Sequence, residues 1–182
     1  MEDHEREFVR RARAGDRVAF AALVDRYWNP VRAWLAGLTG WHDEAEDLAQ
    51  EVFLKAWVGL PTLADEAAFV AWLFRIARNE FLAFSRSQRS VRRHGLSETP
   101  DARPGPPEQA QEAEGAAALR TAIATLPLIY REVYLLWTHD RMSYPEIARV
   151  LNITEEVARW RVCEARRRLA CAVQPFWEPD SR

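Results

Sequence analysis

Apolar residues in this chain recur every three or four positions and almost nowhere alternate, so its elements are helices whose apolar stripes must face one another. Strand signals are nearly absent. The expected fold class is therefore all-α. A short polar helix over 3–13 ends at Gly15, and Asp16 is placed to cap the next helix. There Phe20, Leu23, Val24, Tyr27, Val31, Leu35 and Leu38 make one stripe, with a kink expected at Pro30. A third helix, about 43–58, buries Leu48, Val52, Phe53, Ala56 and Trp57. A fourth, about 66–86, buries Phe69, Trp72, Leu73, Ile76, Ala77 and Phe81. Between 89 and 112 the periodicity is lost. Pro100, Pro104, Gly105, Pro106 and Pro107 sit there among acidic and small polar residues, which bury too little apolar area to order a backbone, so a flexible linker is expected. Helical spacing resumes near 113, breaks at Leu126-Pro127 and continues from Tyr130 to Trp137.

The stretch from Ser143 to Leu169 reads as two short helices about a tight turn. Ser143 and Glu146 have capping-box spacing, Ile147, Ala148 and Leu151 form one apolar face, and Asn152 suits the helix C-terminus. Thr154 is a natural N-cap for the second helix, whose Ala158, Val162, Ala165 and Leu169 face the protein. Its opposite face carries Glu156, Arg159, Trp160, Cys163, Glu164 and Arg167. A helix-turn-helix places such a second helix in the major groove, its early residues at base edges and its arginines near phosphates. Two amphipathic helices of an ordinary bundle share the pattern.

At 182 residues the chain holds one large or two small domains, and the linker favours two. No run of about twenty apolar residues exists, and the first residues, MEDHEREFVRRARAGD, are too charged for a secretory signal, so a cytoplasmic protein without membrane insertion is expected. The two cysteines, Cys163 and Cys171, imply no disulfide framework and are expected to be small packing residues; no metal-ligand spacing is present. No cofactor is implied. A net charge of -2 is low for a chain that binds DNA unaided, because phosphate neutralisation supplies most non-specific affinity. The charge is segregated: -5 over 1–74, +5 over 75–93, -5 over 94–158 and +4 over 159–168. Of the 25 basic residues 24 are arginine, which suits bidentate contacts to phosphate and guanine but also follows from a GC-rich genome.

Two constellations invite a function. Asp43, Glu44, Glu46, Asp47 and Glu51 open the third helix, where carboxylates oppose the dipole favourably. Asp47, Gln50, Glu51 and Leu54 share a face away from the apolar stripe, which is either solvated or a dock for a basic helix. In the fourth helix Arg75, Arg78 and Asn79 lie among aromatics. Bases stack on π faces while cations follow the backbone, so single-stranded nucleic acid is one reading and plain core the other.

Taken in order, AFAALVDRYWNPVRAWL, DEAEDLAQEVFLKAW and FVAWLFRIARNEFLAFSR resemble the helices of region 2 of the sigma-70 family of bacterial transcription initiation factors. The later block LPLIYREVYLLWTHDRMSYPEIARVLNITEEVARWRVCEARRRL resembles region 4, and the whole is similar to the small extracytoplasmic-function (ECF) group. The resemblance implies a region 2 domain over 1–90, a linker over 91–112 and a region 4 domain over 113–178. It implies no enzyme, but a factor that binds core RNA polymerase and directs initiation at promoter DNA. Asp47, Gln50, Glu51 and Leu54 would dock on polymerase. Trp72, Arg75, Arg78 and Asn79, with the loop Leu60 to Ala68, would capture the opened -10 non-template strand. Arg159, Trp160, Cys163, Arg166 and Arg167 would read the -35 duplex, and the acidic linker would thread the RNA channel. An anti-sigma protein is the implied regulatory partner, and homo-oligomerisation is not required.

The chain departs from that pattern at Glu155, Glu156, Trp160 and Glu164, where small, neutral or basic residues are usual, and in the loop LPTLADEAAF, which lacks the customary arginine and glycine. One of the early glutamates can accept from a cytosine amino group. Two rival classes compete with the resemblance: an autonomous helix-turn-helix regulator, disfavoured by the low charge and the first domain, and a metal-dependent nuclease, disfavoured because the carboxylates at 43–51 form a helical face with no histidine or second acidic cluster.

Overall fold

A computed structural model describes residues 3–40, 42–93, 112–139 and 142–173. Every regular element among them is helical: α1 (Asp3–Arg13), α2 (Arg17–Thr39), α3 (His42–Gly59), α4 (Phe69–Arg93), α5 (Glu112–Thr125), α6 (Leu128–His139), α7 (Tyr144–Leu151) and α8 (Glu155–Val173). The linker expected over 91–112 lies mostly outside the described residues; its first three residues end α4 and its last begins α5.

Local chemistry sets the helix boundaries. Gly15 and Gly40 take positive φ of 92° and 74°, conformations that cost glycine nothing, and so close α1 and α2. The Asp16 carboxylate accepts from the Val18 and Ala19 amides at 2.9 and 3.1 Å and starts α2. Its pKa is lowered, first by the Ala19 amide and then by the Arg11 guanidinium. The kink expected at Pro30 does not divide α2, which runs through it. Proline removes one backbone bond there, while buried Tyr27, Val31, Trp34 and Leu35 hold the helix on both sides. The fourth helix starts at Phe69, later than expected, because Leu60–Thr62 and Glu66–Ala68 form separate 3₁₀ turns. Asp65 caps the second of them by accepting from the Ala67 amide.

α1 to α4 form one helical group and α5 to α8 another, as the two-domain reading expects. α1 is more than polar decoration: Val9 and Ala12 are buried, and buried Glu5 accepts from the Tyr27 hydroxyl. Each fully buried large side chain contributes roughly 1.5–3 kcal/mol, and Trp34, Phe69, Phe74, Leu35 and Leu73 are among the largest of the N-terminal group. The buried faces of the two groups run together into a single cluster joining Trp34, Leu35 and Phe74 to Val133, Leu135, Leu136 and Ile147. α6 lies against α2 and α7 against α4. A smaller cluster, Ala122, Leu126, Tyr130, Ala165 and Leu169, closes the far end of the C-terminal group.

Candidate nucleic-acid and protein interfaces

On α3 the apolar stripe Ala45, Ala49, Val52, Phe53 and Ala56 is buried, which turns Asp47, Gln50, Glu51 and Leu54 outward, all exposed. Leu54 is 62% and Val58 78% exposed, so one turn beyond Leu54 the face stays apolar. The Phe20 and Trp57 rings, 4.9 Å apart, tie the start of α2 to the end of α3, and Val18 is exposed at that end. Val18 and Val58 did not stand out in the sequence. Val58 could have been found, since it falls four residues after Leu54. A carboxylate-rimmed face with protruding aliphatics suits a basic amphipathic helix.

On α4, Trp72, Arg75 and Asn79 share one side at spacings of three and four. The indole is half-buried against Phe69, and Gly59 leaves it room: a Cβ there would stand 3.1 Å from the ring. Arg75 and Asn79 are exposed. Arg78 is taken away from this group. Its Nε and Nη2 donate to the two carboxylate oxygens of Glu132 on α6, at 2.8 and 3.4 Å.

The helix-turn-helix forms as its sequence suggests. Ser143 is the N-cap of α7 and forms a capping box with Glu146, whose carboxylate accepts the Ser143 amide at 2.8 Å and also the Ser143 hydroxyl at 2.7 Å. Asn152 adopts the left-handed conformation that ends α7, and the Thr154 hydroxyl accepts from the Val157 amide to start α8. Ala158, Val162, Ala165 and Leu169 are buried, leaving Arg159, Trp160, Cys163, Arg166 and Arg167 exposed along one side. Cys163 and Cys171 are both exposed, contrary to the expected packing role, because neither falls on that buried stripe.

The arginines of α8 are held in place by neighbours. Arg159 pairs with Glu155 at 2.8 Å and lies over the Tyr144 ring; Arg166 lies over Trp137 and Arg168 over Tyr130. Glu164 binds Arg167 through both oxygens at 2.8 Å and Arg168 at 2.7 Å. Those two guanidiniums hold its pKa down to about 2. Trp160 stays 58% exposed with its ring 6.0 Å from that of Tyr130. The aromatic belt of α6 and α7 is the feature sequence reading missed, because it comes from other helices. Exposed ion pairs contribute little, so a phosphate can displace these carboxylates at small cost. Among the described residues no cluster of three or more His, Cys, Asp or Glu could hold a metal ion, and no helix is long and apolar enough to cross a membrane.

Comparison with known proteins bears on both groups. Residues 23–91 match the family model for sigma-70 region 2, and residues 116–169 that for sigma-70 region 4. The RNA polymerase sigma factor NccH of Alcaligenes xylosoxydans xylosoxydans is 30% identical over 91% of this chain and 92% of its own. The probable RNA polymerase sigma factor RfaY of Xanthomonas campestris is 32% identical over 85% of this chain, which spans only 40% of that longer protein. Among solved structures, CnrH in complex with the cytosolic domain of CnrY matches with a TM-score of 0.73 at 26% identity, covering 95% of this chain and 99% of CnrH. RpoE of Bartonella quintana, in complex with the anti-sigma factor NepR, gives 0.73 at 26% identity over 85% and 96%.

Proposed function

The chain belongs to the ECF group of the sigma-70 family, and from that premise we propose how its three exposed faces divide the work of directing RNA polymerase to promoters. Sigma factors are initiation factors rather than enzymes. The face of α3, Asp47, Gln50, Glu51 and Leu54 with Val58, docks on core polymerase. Trp72, Arg75 and Asn79 of α4 receive the opened -10 non-template strand. Extruding a base costs a few kcal/mol, offset by stacking on the indole and by cationic contact with the phosphates. Arg78 joins them once it is released from Glu132.

On α8, Arg159, Trp160 and Cys163 reach base edges of the -35 duplex while Arg166 and Arg167 lie nearer its phosphates. The observation that carries this assignment is the exposure of all five side chains along one side of a helix that follows a well-formed turn. Promoter DNA and core polymerase are thus the working partners. By likeness to NepR-bound RpoE, an anti-sigma protein is the regulatory one.

Run-off transcription on genomic fragments tests the assignment. Discrete start sites are expected only when chain and core enzyme are both present. Failure to bind core, together with tight binding of duplex DNA by the chain alone, would point instead to an autonomous helix-turn-helix regulator.

A further inference from the structure

α1 takes part in none of the three faces, yet it is tied down at both of its ends. Near its start the carboxylate of Glu5, 3% exposed, accepts from the Tyr27 hydroxyl, and Arg26 Nε stands 3.6 Å from the same oxygen. Burying a carboxylate is costly unless it is paired and hydrogen-bonded, so this contact specifies where α1 sits on α2. The Tyr27 ring in turn meets Phe69 edge-on at 5.7 Å, and the Phe69 ring lies 6.1 Å from that of Trp72. α2 is a firm base for this chain of contacts. At its far end it meets α6 so closely that a Cβ on Gly37 would stand 2.7 Å from Leu135 Cδ1.

At the last residue of α1, Arg13 Nη1 donates to Glu66 Oε1 at 2.7 Å, a tie across 53 residues in which the two side chains are 31% and 33% exposed. Glu66 opens the second 3₁₀ turn of the loop Leu60 to Ala68, and α1 lies against both turns. Leu60 and Leu63 anchor that loop in the core, while Pro61, Thr62, Ala64, Asp65 and Ala67 are exposed. The Thr62 hydroxyl donates to the Gly59 carbonyl at 2.7 Å, and Asp65 is occupied in capping the second turn. A loop shaped in advance gives up little conformational freedom when a ligand lands on it. The Glu66 carboxylate would also repel a phosphate, and Arg13 neutralises it as well as tethering it.

We propose that α1 braces the strand-capture site from outside it, with two positioning residues: Arg13, which sets the 60–68 loop through Glu66, and Glu5, which sets Trp72 through Tyr27 and Phe69. The inference rests on the assignment of α4 and this loop to the opened -10 strand. Ala68 ends the loop and Trp72 follows four residues later, so the two surfaces held by α1 adjoin at the start of α4. Neither Arg13 nor Glu5 meets the strand; each holds a surface that does.

The test uses full-length protein with core polymerase. Arg13→Gln removes the tie, and Arg13→Glu with Glu66→Arg exchanges it. Run-off from one mapped promoter, divided by run-off from the same promoter with a -10 base changed, gives the discrimination at -10. Arg13→Gln is expected to leave core affinity, read by fluorescence anisotropy, within about twofold and to lower discrimination roughly two- to fivefold, the range that a partly exposed ion pair carries. The exchanged pair should return towards wild type. A merely structural loss lowers run-off from every promoter alike and leaves the ratio where it was. Glu5→Gln keeps an acceptor for Tyr27 and should hold the ratio, whereas Glu5→Leu should lower it. Circular dichroism checks that Glu5→Leu stays folded; if it does not, Arg13→Gln and the exchange decide alone. An unchanged ratio in Arg13→Gln, or an exchanged pair no better than that variant, overturns the brace. Trp72→Ala is the reference. If it too leaves the ratio intact, the strand-capture reading falls and the brace with it; if it lowers the ratio while Arg13→Gln does not, only the brace fails.

Discussion

On α8 one carboxylate, Glu164, neutralises half of the charge of Arg167 and Arg168, and its ionisation is stabilised by both. A carboxyl whose folded pKa lies below the ordinary 4.5 contributes stability that is present above that value and is lost as pH falls towards about 2. Carboxyl-carbon NMR should therefore find Glu164 ionised at pH 3.5, and Arg167→Gln combined with Arg168→Gln should return it to the usual range; a normal titration in the unsubstituted protein would refute the pairing. Sequence reading placed Glu164 on the exposed side but not its partners. Arg78 is the sharper case. Periodicity set it beside Arg75 and Asn79, and nothing local announces a carboxylate 54 residues later. Trp34 likewise satisfies the spacing of Val31 and Leu38, while the carbonyl that its N–H meets lies on α6. A residue's own helix is legible from spacing; what covers that helix is not.

Individual helices were the most readable level, because caps and stripes act within a few residues. Asp16, Asn152, Thr154 and the break at Leu126-Pro127 all mark real boundaries. The start of α4 misled because 3₁₀ turns carry the same spacing over three residues. The exposed side of α3 affords a prediction at this level. Glu51→Arg should weaken core-polymerase binding more than tenfold by setting like charge against a basic partner, and Val58→Asp, which adds a charge to the apolar end, by roughly tenfold. Fluorescence anisotropy with labelled chain measures both. Both substituted sites are exposed, so the melting temperature should shift little, and unchanged affinity for both variants would remove α3 from the docking surface.

For the molecule as a whole, the net charge of -2 and its segregation into blocks were plain in the sequence, and they bear on affinity. Alone, the chain should bind a -35 duplex weakly, with a shallow salt slope set by the few arginines of α8, whereas the holoenzyme should bind the full promoter far more tightly because two linked contacts reinforce each other. Filter binding at several salt concentrations distinguishes the two; a steep slope and nanomolar affinity for the isolated chain would contradict the scheme. The packing of the two groups was not legible at all, since it depends on matched shapes more than 90 residues apart. The bare backbone of Gly37 beneath Leu135 carries a consequence for descent. Those two sites are coupled: a methyl gained at the first obliges the tip of the leucine at the second to move aside. Halves exchanged between cousins will therefore fit best when the donor brings a compatible knob for this socket.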